Sequence, residues 1–153
     1  MRYFSQLSQV TVWISLFFFA LSAWAQSSSF SVAEKIIRAA RFDDVSTIKK
    51  YADQQGDINL TEADRGETLL MISVRENSQR VFDYLLMHPK IHLDQRAKNG
   101  DTAIMLTAYL EQKDKLQRLI DAGAQVNQAA GTALHYATVV GNLEIVKILL
   151  EHY

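Results

Sequence analysis

The chain has 153 residues, a formal charge of −1 and 48% hydrophobic residues, which is enough for one domain with a buried core. Its 16 lysines and arginines form no dense block, so the charge pattern argues against a nucleic-acid-binding protein. Cysteine is absent, which excludes disulfides, thiolate chemistry, cysteine-ligated zinc and a lipid anchor on an N-terminal cysteine.

The first 25 residues have the layout of a secretory signal peptide. Arg2 is the only charged residue among the first 33, and residues 10–25 form an almost uninterrupted apolar run that ends in Ala23-Trp24-Ala25, a cleavage-site pattern. We therefore predict cleavage after Ala25, export to the periplasm of a Gram-negative bacterium, and no stable membrane insertion after cleavage. The alternatives are secretion, or retention of residues 1–25 as a membrane anchor, for which the run is short.

Residues 26–153 contain an internal repeat and are predicted to form one domain. Four units cover about residues 30–59, 60–93, 94–127 and 128–153. Threonine recurs in the last three, which align as GETLLMISVRENSQRVFDYLLM, GDTAIMLTAYLEQKDKLQRLID and GTALHYATVVGNLEIVKILLE. A period near 30 residues indicates stacked units, none of which can bury its apolar surface alone.

Each unit predicts two helices joined by a polar turn. The first helix carries small residues where a neighbouring unit can approach, such as Ser73 and Thr138. The second has apolar residues at i, i+3 and i+4, which makes one face apolar. Gly123, and similarly Gly56, follows a second helix at the place where a left-handed residue is needed. Ser31 and Glu34 fit a capping box that opens the first unit.

These features resemble ankyrin repeats. The resemblance is carried by GTALHYA at residues 131–137, GNLEIVKILL at 141–150 and GAQVN at 123–127. The middle units depart from the family, since Met71 and Met105 stand where it prefers histidine. The resemblance covers about residues 30–153. It implies an all-α solenoid of about four stacked helix–turn–helix units with short hairpin loops.

The resemblance also implies roles for particular residues. Thr132 and His135 would form hydrogen bonds that hold the start of a helix and the neighbouring loop, and Gly123 and Gly141 would serve the turns. A partner protein would meet the hairpin tips and the ends of the first helices. The partner-binding residues predicted in this way are Phe42, Arg65, Arg75, Glu76, Lys98, Asn99, Tyr109, Leu110, Val139 and Val140. The alternative is that several of them pack beneath an adjacent hairpin.

No motif for catalysis or metal binding stands out. His88 and His92 are four residues apart, but Pro89 prevents a helix from joining them. Asp43 and Asp44 lie at a turn and suit helix capping, and residues 113–115 read as a solvated face. We therefore expect no enzymatic activity, cofactor or metal. The expected function is a non-catalytic protein-interaction module or scaffold in the bacterial periplasm or envelope. The alternative is a secreted effector that acts on a host or competitor protein.

The last helix is apolar, although terminal repeats usually present a polar outer face. Three explanations remain open: a longer natural chain, an exposed face that self-associates or binds the partner, or a true end at Tyr153 with Glu144, Lys147 and Glu151 as a modest polar cap. The hairpin before this unit is predicted to be short, because five residues separate Asn127 from Thr132.

Overall fold

The computed structural model describes residues 32–128 and 132–153. Within those residues the chain forms eight helices and no strand, apart from an isolated antiparallel bridge between Thr61 and Thr68. The first helix, α1, covers residues 32–41. The others are α2 (Val45–Asp53), α3 (Leu69–Arg75), α4 (Gln79–Leu86), α5 (Ala103–Tyr109), α6 (Lys113–Asp121), α7 (Ala133–Val140) and α8 (Leu143–Glu151). The predicted all-α class is confirmed.

The helices form four successive pairs, and each pair turns at one left-handed residue. The φ angle is 56° at Asp43, 56° at Asn77, 57° at Glu111 and 78° at Gly141. In every pair the next amide donates to the carbonyl five residues earlier in the chain, at distances between 2.8 and 3.0 Å. Only the fourth pair places glycine here, so the other three carry the steric cost of a side chain in this region.

The side chains of these turn residues bond to the following pair. The Asp43 carboxylate accepts from the Val81 amide at 2.9 Å, and the Glu111 carboxylate accepts from the Asn142 side-chain amide at 3.0 Å. The Asn77 side-chain oxygen accepts from Lys115 Nζ. The same turn position therefore connects each pair to the next along residues 36–153, which form one compact unit.

The core runs between the pairs and is built from the apolar faces of the helices. The fully buried side chains of the second helices include Val81, Leu85, Leu116, Leu119, Ile145 and Leu149. These are residues at the i, i+3 and i+4 positions that the spacing assigned to the core. Phe82 is also fully buried, beneath the side chains of Lys115 and Arg118.

Three details of the sequence prediction are wrong. Thr138 is exposed, because the equivalent residues of the inner pairs are covered by a following pair and, among the residues that the structure describes, no further pair packs on α7. Gly56 does not have a positive φ; Gln55 does, at 63°. Gly56 instead permits close packing, since a Cβ there would lie 2.5 Å from the Tyr51 ring. Lys115 is buried rather than solvated.

Several predictions fall on residues outside the described ranges. These are the signal peptide, Ser31 of the proposed capping box, and residues 129–131 of the hairpin before the fourth pair. In the ranges that the structure does describe, no helix has the length and apolar character needed to cross a bilayer.

Candidate functional site

Two hairpins project from the junctions between the first three pairs. In the first hairpin, the Glu62 amide donates to the Glu67 carbonyl at 2.9 Å, and Gly66 has a φ of 69°. In the second, the Ala97 amide donates to the Asp101 carbonyl at 2.8 Å. The Lys98 amide also donates to the Arg65 carbonyl at 2.9 Å, which joins the two hairpins to each other.

The hairpin tips and the ends of the first helices together form the candidate surface, which we call the hairpin surface. It comprises Arg41, Phe42, Arg65, Arg75, Glu76, Lys98, Asn99, Tyr109, Leu110, Val139 and Val140. Most of these side chains are exposed, whereas Arg75, Leu110 and Val140 are half-buried. Leu110 packs against the core, which agrees in part with the alternative that some of these residues are packed in the fold rather than free to bind a partner.

Two buried carboxylates lie beneath the arginines of this surface. Glu67 forms an ion pair with Arg75, whose Nε lies 2.9 and 3.1 Å from its two carboxylate oxygens. Glu62 accepts the Arg65 backbone amide at 2.6 Å and forms longer ion pairs with Arg41 and Arg65. The network joins α1, the first hairpin and α3, so it fixes the hairpin against two helix pairs.

The charges of this network perturb its own pKa values. Burial works against the charged form of Glu62, but the Arg65 amide and the Arg65 charge outweigh it, so the pKa of Glu62 lies below its usual value. The hydrogen bond to Glu67 is the largest influence on Arg75, and the pKa of Arg75 is raised. Both effects favour the charged forms of Glu62 and Arg75.

An aromatic cluster forms the other end of the hairpin surface. The rings of Tyr109 and Tyr136 meet edge to face, with centroids 5.8 Å apart. The Tyr136 hydroxyl donates to Asp101 in the second hairpin at 2.7 Å, which raises the pKa of Tyr136 to about 12. This hydrogen bond holds the Tyr136 ring, and with it the neighbouring Tyr109 ring, in a defined position.

The residues singled out for structural roles lie at helix ends and turns. Thr132 caps α7, where its hydroxyl accepts the backbone amide of His135 at 3.2 Å. The His135 ring itself is exposed and lies edge to face with Tyr136, so the capping bond comes from the backbone of His135 rather than its imidazole. Gly123 and Gly141 both have positive φ, at 94° and 78°.

Sequence reasoning missed the most unusual polar group in the core. Lys115 occupies a position where the neighbouring pairs have Val81 and Ile145, and its ammonium donates to Asn77 and lies 5.7 Å from the Phe82 ring centroid. Burial lowers the pKa of Lys115. The apolar residues at the two equivalent positions were the available signal that this side chain would be enclosed.

Apolar side chains are also exposed on the outer side of the last pair, where Leu143, Leu150 and Tyr153 lie open to solvent. Self-association through α8 stays a prediction. As for chemistry, the described ranges hold no group of three or more histidine and acidic side chains placed to share a metal ion.

These observations define a class of protein: a stack of helix pairs joined by hairpins. The family model described as ankyrin repeats (3 copies) matches this chain over residues 36–130 and 85–153. The chain belongs to the ankyrin-repeat family, as the sequence predicted, and ankyrin repeats are protein-interaction modules.

Curated relatives of this chain include two notch homolog proteins. It is 32% identical over 117 residues to neurogenic locus notch homolog protein 1 of Mus musculus, and 31% identical over 117 residues to neurogenic locus notch homolog protein 2 of Homo sapiens. Each match covers 74% of this chain but only 5% of the relative. The chain therefore spans only a small part of the length of these relatives.

Proposed function

We propose that this protein is a non-catalytic binding module whose hairpin surface recognises another protein. One observation carries the proposal: arginine and tyrosine side chains at this surface are held in place. The buried carboxylates of Glu62 and Glu67 hold the arginines, and the hydrogen bond from Tyr136 to Asp101 holds the tyrosines. Binding to an already ordered surface costs less conformational entropy. Arginine and tyrosine are also the residue types enriched at the energetic centres of protein interfaces.

A shallow groove between α2 and α4 provides a control surface, because neither helix contributes a residue to the hairpin surface. It is lined by Val45, Lys49, Arg80, Asp83, Tyr84 and Met87. Met87, the C-cap residue of α4, is apolar and 81% exposed, so it makes a good control position outside the hairpin surface.

Site-specific photo-crosslinking tests the proposal. A photoreactive amino acid is placed at Asn99 or Val139 in the hairpin surface, and at Met87 as the control, and the variants are expressed in the source organism. We expect the first two positions to crosslink to one common protein and Met87 to give little of that product. Crosslinks to that protein from Met87 alone would contradict the proposed surface.

We further propose that the protein acts outside the cytoplasm, in the periplasm, after removal of residues 1–25. The support is the apolar run that ends at Ala23-Trp24-Ala25. Mass spectrometry of the purified chain should give an N-terminus at Gln26, and fractionation should recover it with periplasmic markers. Recovery in the culture medium would favour the alternative of a secreted effector. An intact N-terminus in the membrane fraction would favour an anchored form.

A further inference from the structure

A single buried carboxylate holds two exposed guanidinium groups from different parts of the fold. Arg41 lies at the end of α1 and Arg65 at the tip of the first hairpin. Glu62, whose side chain is 4% exposed, lies 3.8 Å from Arg41 Nη2 and 3.6 Å from Arg65 Nε. Because both guanidinium groups are within 4 Å of the same carboxylate, they lie close to each other on the hairpin surface.

The geometry leaves the hydrogen-bond donors of these two arginines available. Their separations from Glu62 exceed the usual 2.7–3.2 Å of an N–H···O bond, and the distance from Arg65 Nη2 to Glu67 is 3.5 Å. Their side chains are 42% and 53% exposed. Arg75 differs, because Glu67 engages both its Nε and its Nη2. Glu62 therefore orients Arg41 and Arg65 without occupying their donors.

The same surface becomes apolar toward the last pair. Tyr109 is 49% exposed and Val139 is 66% exposed, and they occupy the positions that Arg41 and Arg75 occupy in the first two pairs. Neighbouring helices pack about 8–10 Å apart, so Tyr109 lies roughly 16–20 Å along the stack from Arg41. An extended segment covers that distance with about five or six residues.

We propose that the partner is an extended protein segment that carries a carboxylate side chain for Arg41 and Arg65 and, about five or six residues away, a bulky apolar side chain for Tyr109 and Val139. The inference rests on the proposed function and names the chemistry of its partner. Paired guanidinium groups match the planar geometry of a carboxylate. Glu76 is exposed between the two ends, so an acid placed opposite it is disfavoured.

Selection from a random twelve-residue peptide library displayed on phage tests this chemistry without knowledge of the natural partner. The full chain is the bait, in parallel with an Arg41→Gln/Arg65→Gln variant and a Tyr109→Ala/Val139→Ser variant. Peptides selected on the wild type should carry Asp or Glu at the stated spacing from Leu, Ile, Phe or Trp. Peptides selected on the Arg41→Gln/Arg65→Gln variant should lose the preference for an acid and keep the preference for an apolar residue. Peptides selected on the Tyr109→Ala/Val139→Ser variant should keep the acid and lose the apolar residue.

The affinity of one selected peptide then measures the contribution of the arginines. Fluorescence anisotropy should show a loss of roughly tenfold or more for the arginine variant, as expected for charge-assisted hydrogen bonds. A peptide with Asn or Gln in place of its acid should lose affinity similarly. A peptide with a second acid opposite Glu76 should bind weakly to the wild type, and the Glu76→Gln variant should bind it more tightly.

Two further variants separate binding from folding. Removing both arginines leaves Glu62 buried without a cation, so the triple variant Arg41→Gln/Arg65→Gln/Glu62→Gln is also measured, with circular dichroism to verify its helical content. Arg65→Lys retains the charge but not the planar donor pair, and should bind with intermediate affinity.

The outcomes distinguish the two claims. Peptides that bind at the hairpin surface but show no acidic preference, or keep it on the arginine variants, would overturn the carboxylate assignment and leave the proposed function intact. Selected peptides whose affinity is changed by neither variant would contradict the proposed function itself.

Discussion

A matched pair of leucine truncations tests whether stability comes from packing between the helix pairs. Leu119 in α6 is fully buried, whereas Leu150 in α8 is 55% exposed on the outer side of the last pair. Truncation of a buried leucine to alanine costs roughly 2–5 kcal/mol, because the lost transfer free energy is joined by the cost of a cavity. Truncation of Leu150 to alanine should lower the free energy of unfolding by about 1 kcal/mol or less, since about half of its side chain is already hydrated and no closed cavity forms.

The position of α6 adds to the expected difference. Its helix pair packs against a neighbour on each side, and in a repeat protein the stability is approximately a sum of unit and interface contributions. Urea unfolding and thermal unfolding, both followed by far-ultraviolet circular dichroism, compare the two variants with the wild type. At roughly 4 °C per kcal/mol, the melting temperature should fall by about 8–20 °C for Leu119→Ala. Equal losses of stability for Leu119→Ala and Leu150→Ala would refute the packing of the helix pairs described above.

Three further predictions concern single side chains. Gly141→Ala should destabilise the protein by about 1–2 kcal/mol in the same unfolding assay, because its φ of 78° strains an L-residue although no atom blocks a Cβ; an unchanged midpoint would contradict the turn geometry. Burial lowers the folded-state pKa of Lys115, so the unfolded chain holds that proton more strongly and stability should rise with pH between the folded value and 10.5. Lys115→Met should remove that rise, and an unaltered pH profile would show that the lysine is hydrated. Asp101→Asn should return the pKa of Tyr136 from about 12 toward 10 in an ultraviolet absorbance titration; since the raised pKa stabilises the fold below pH 10, the wild type should lose that contribution between pH 10 and 12, and the variant should not.

The helix pairs and their turns could be read from the sequence because their signals are local. The spacing of Leu116 and Leu119 places both on one face, and the polar residues at 111–112 mark the turn. The structure adds that Asn77 and Glu111 are left-handed, at the positions equivalent to Gly141. A pattern that recurs every 30 or so residues therefore predicts both the elements and the order in which they stack.

The arginine network could not be predicted, because it depends on contacts between separate units. Glu62 and Glu67 lie in a hairpin, where acidic residues are normally solvated, and their burial becomes evident only when Arg41 and Arg75 are brought to them. The prediction that Thr138 would face a neighbouring unit was wrong for a related reason. A residue equivalent to the buried Ala108 is exposed when no further pair packs on it.

The central claim is that the hairpin surface binds a protein partner. The most direct test is the affinity of the wild type, Tyr109→Ala and Met87→Ala for the protein recovered by crosslinking, measured by isothermal titration calorimetry. All three should have the same helical content by circular dichroism. The account predicts at least a tenfold loss for Tyr109→Ala, as expected when an aromatic anchor is truncated, and little change for Met87→Ala. Unchanged affinity for Tyr109→Ala with a clear loss for Met87→Ala would place the binding surface at the groove between α2 and α4.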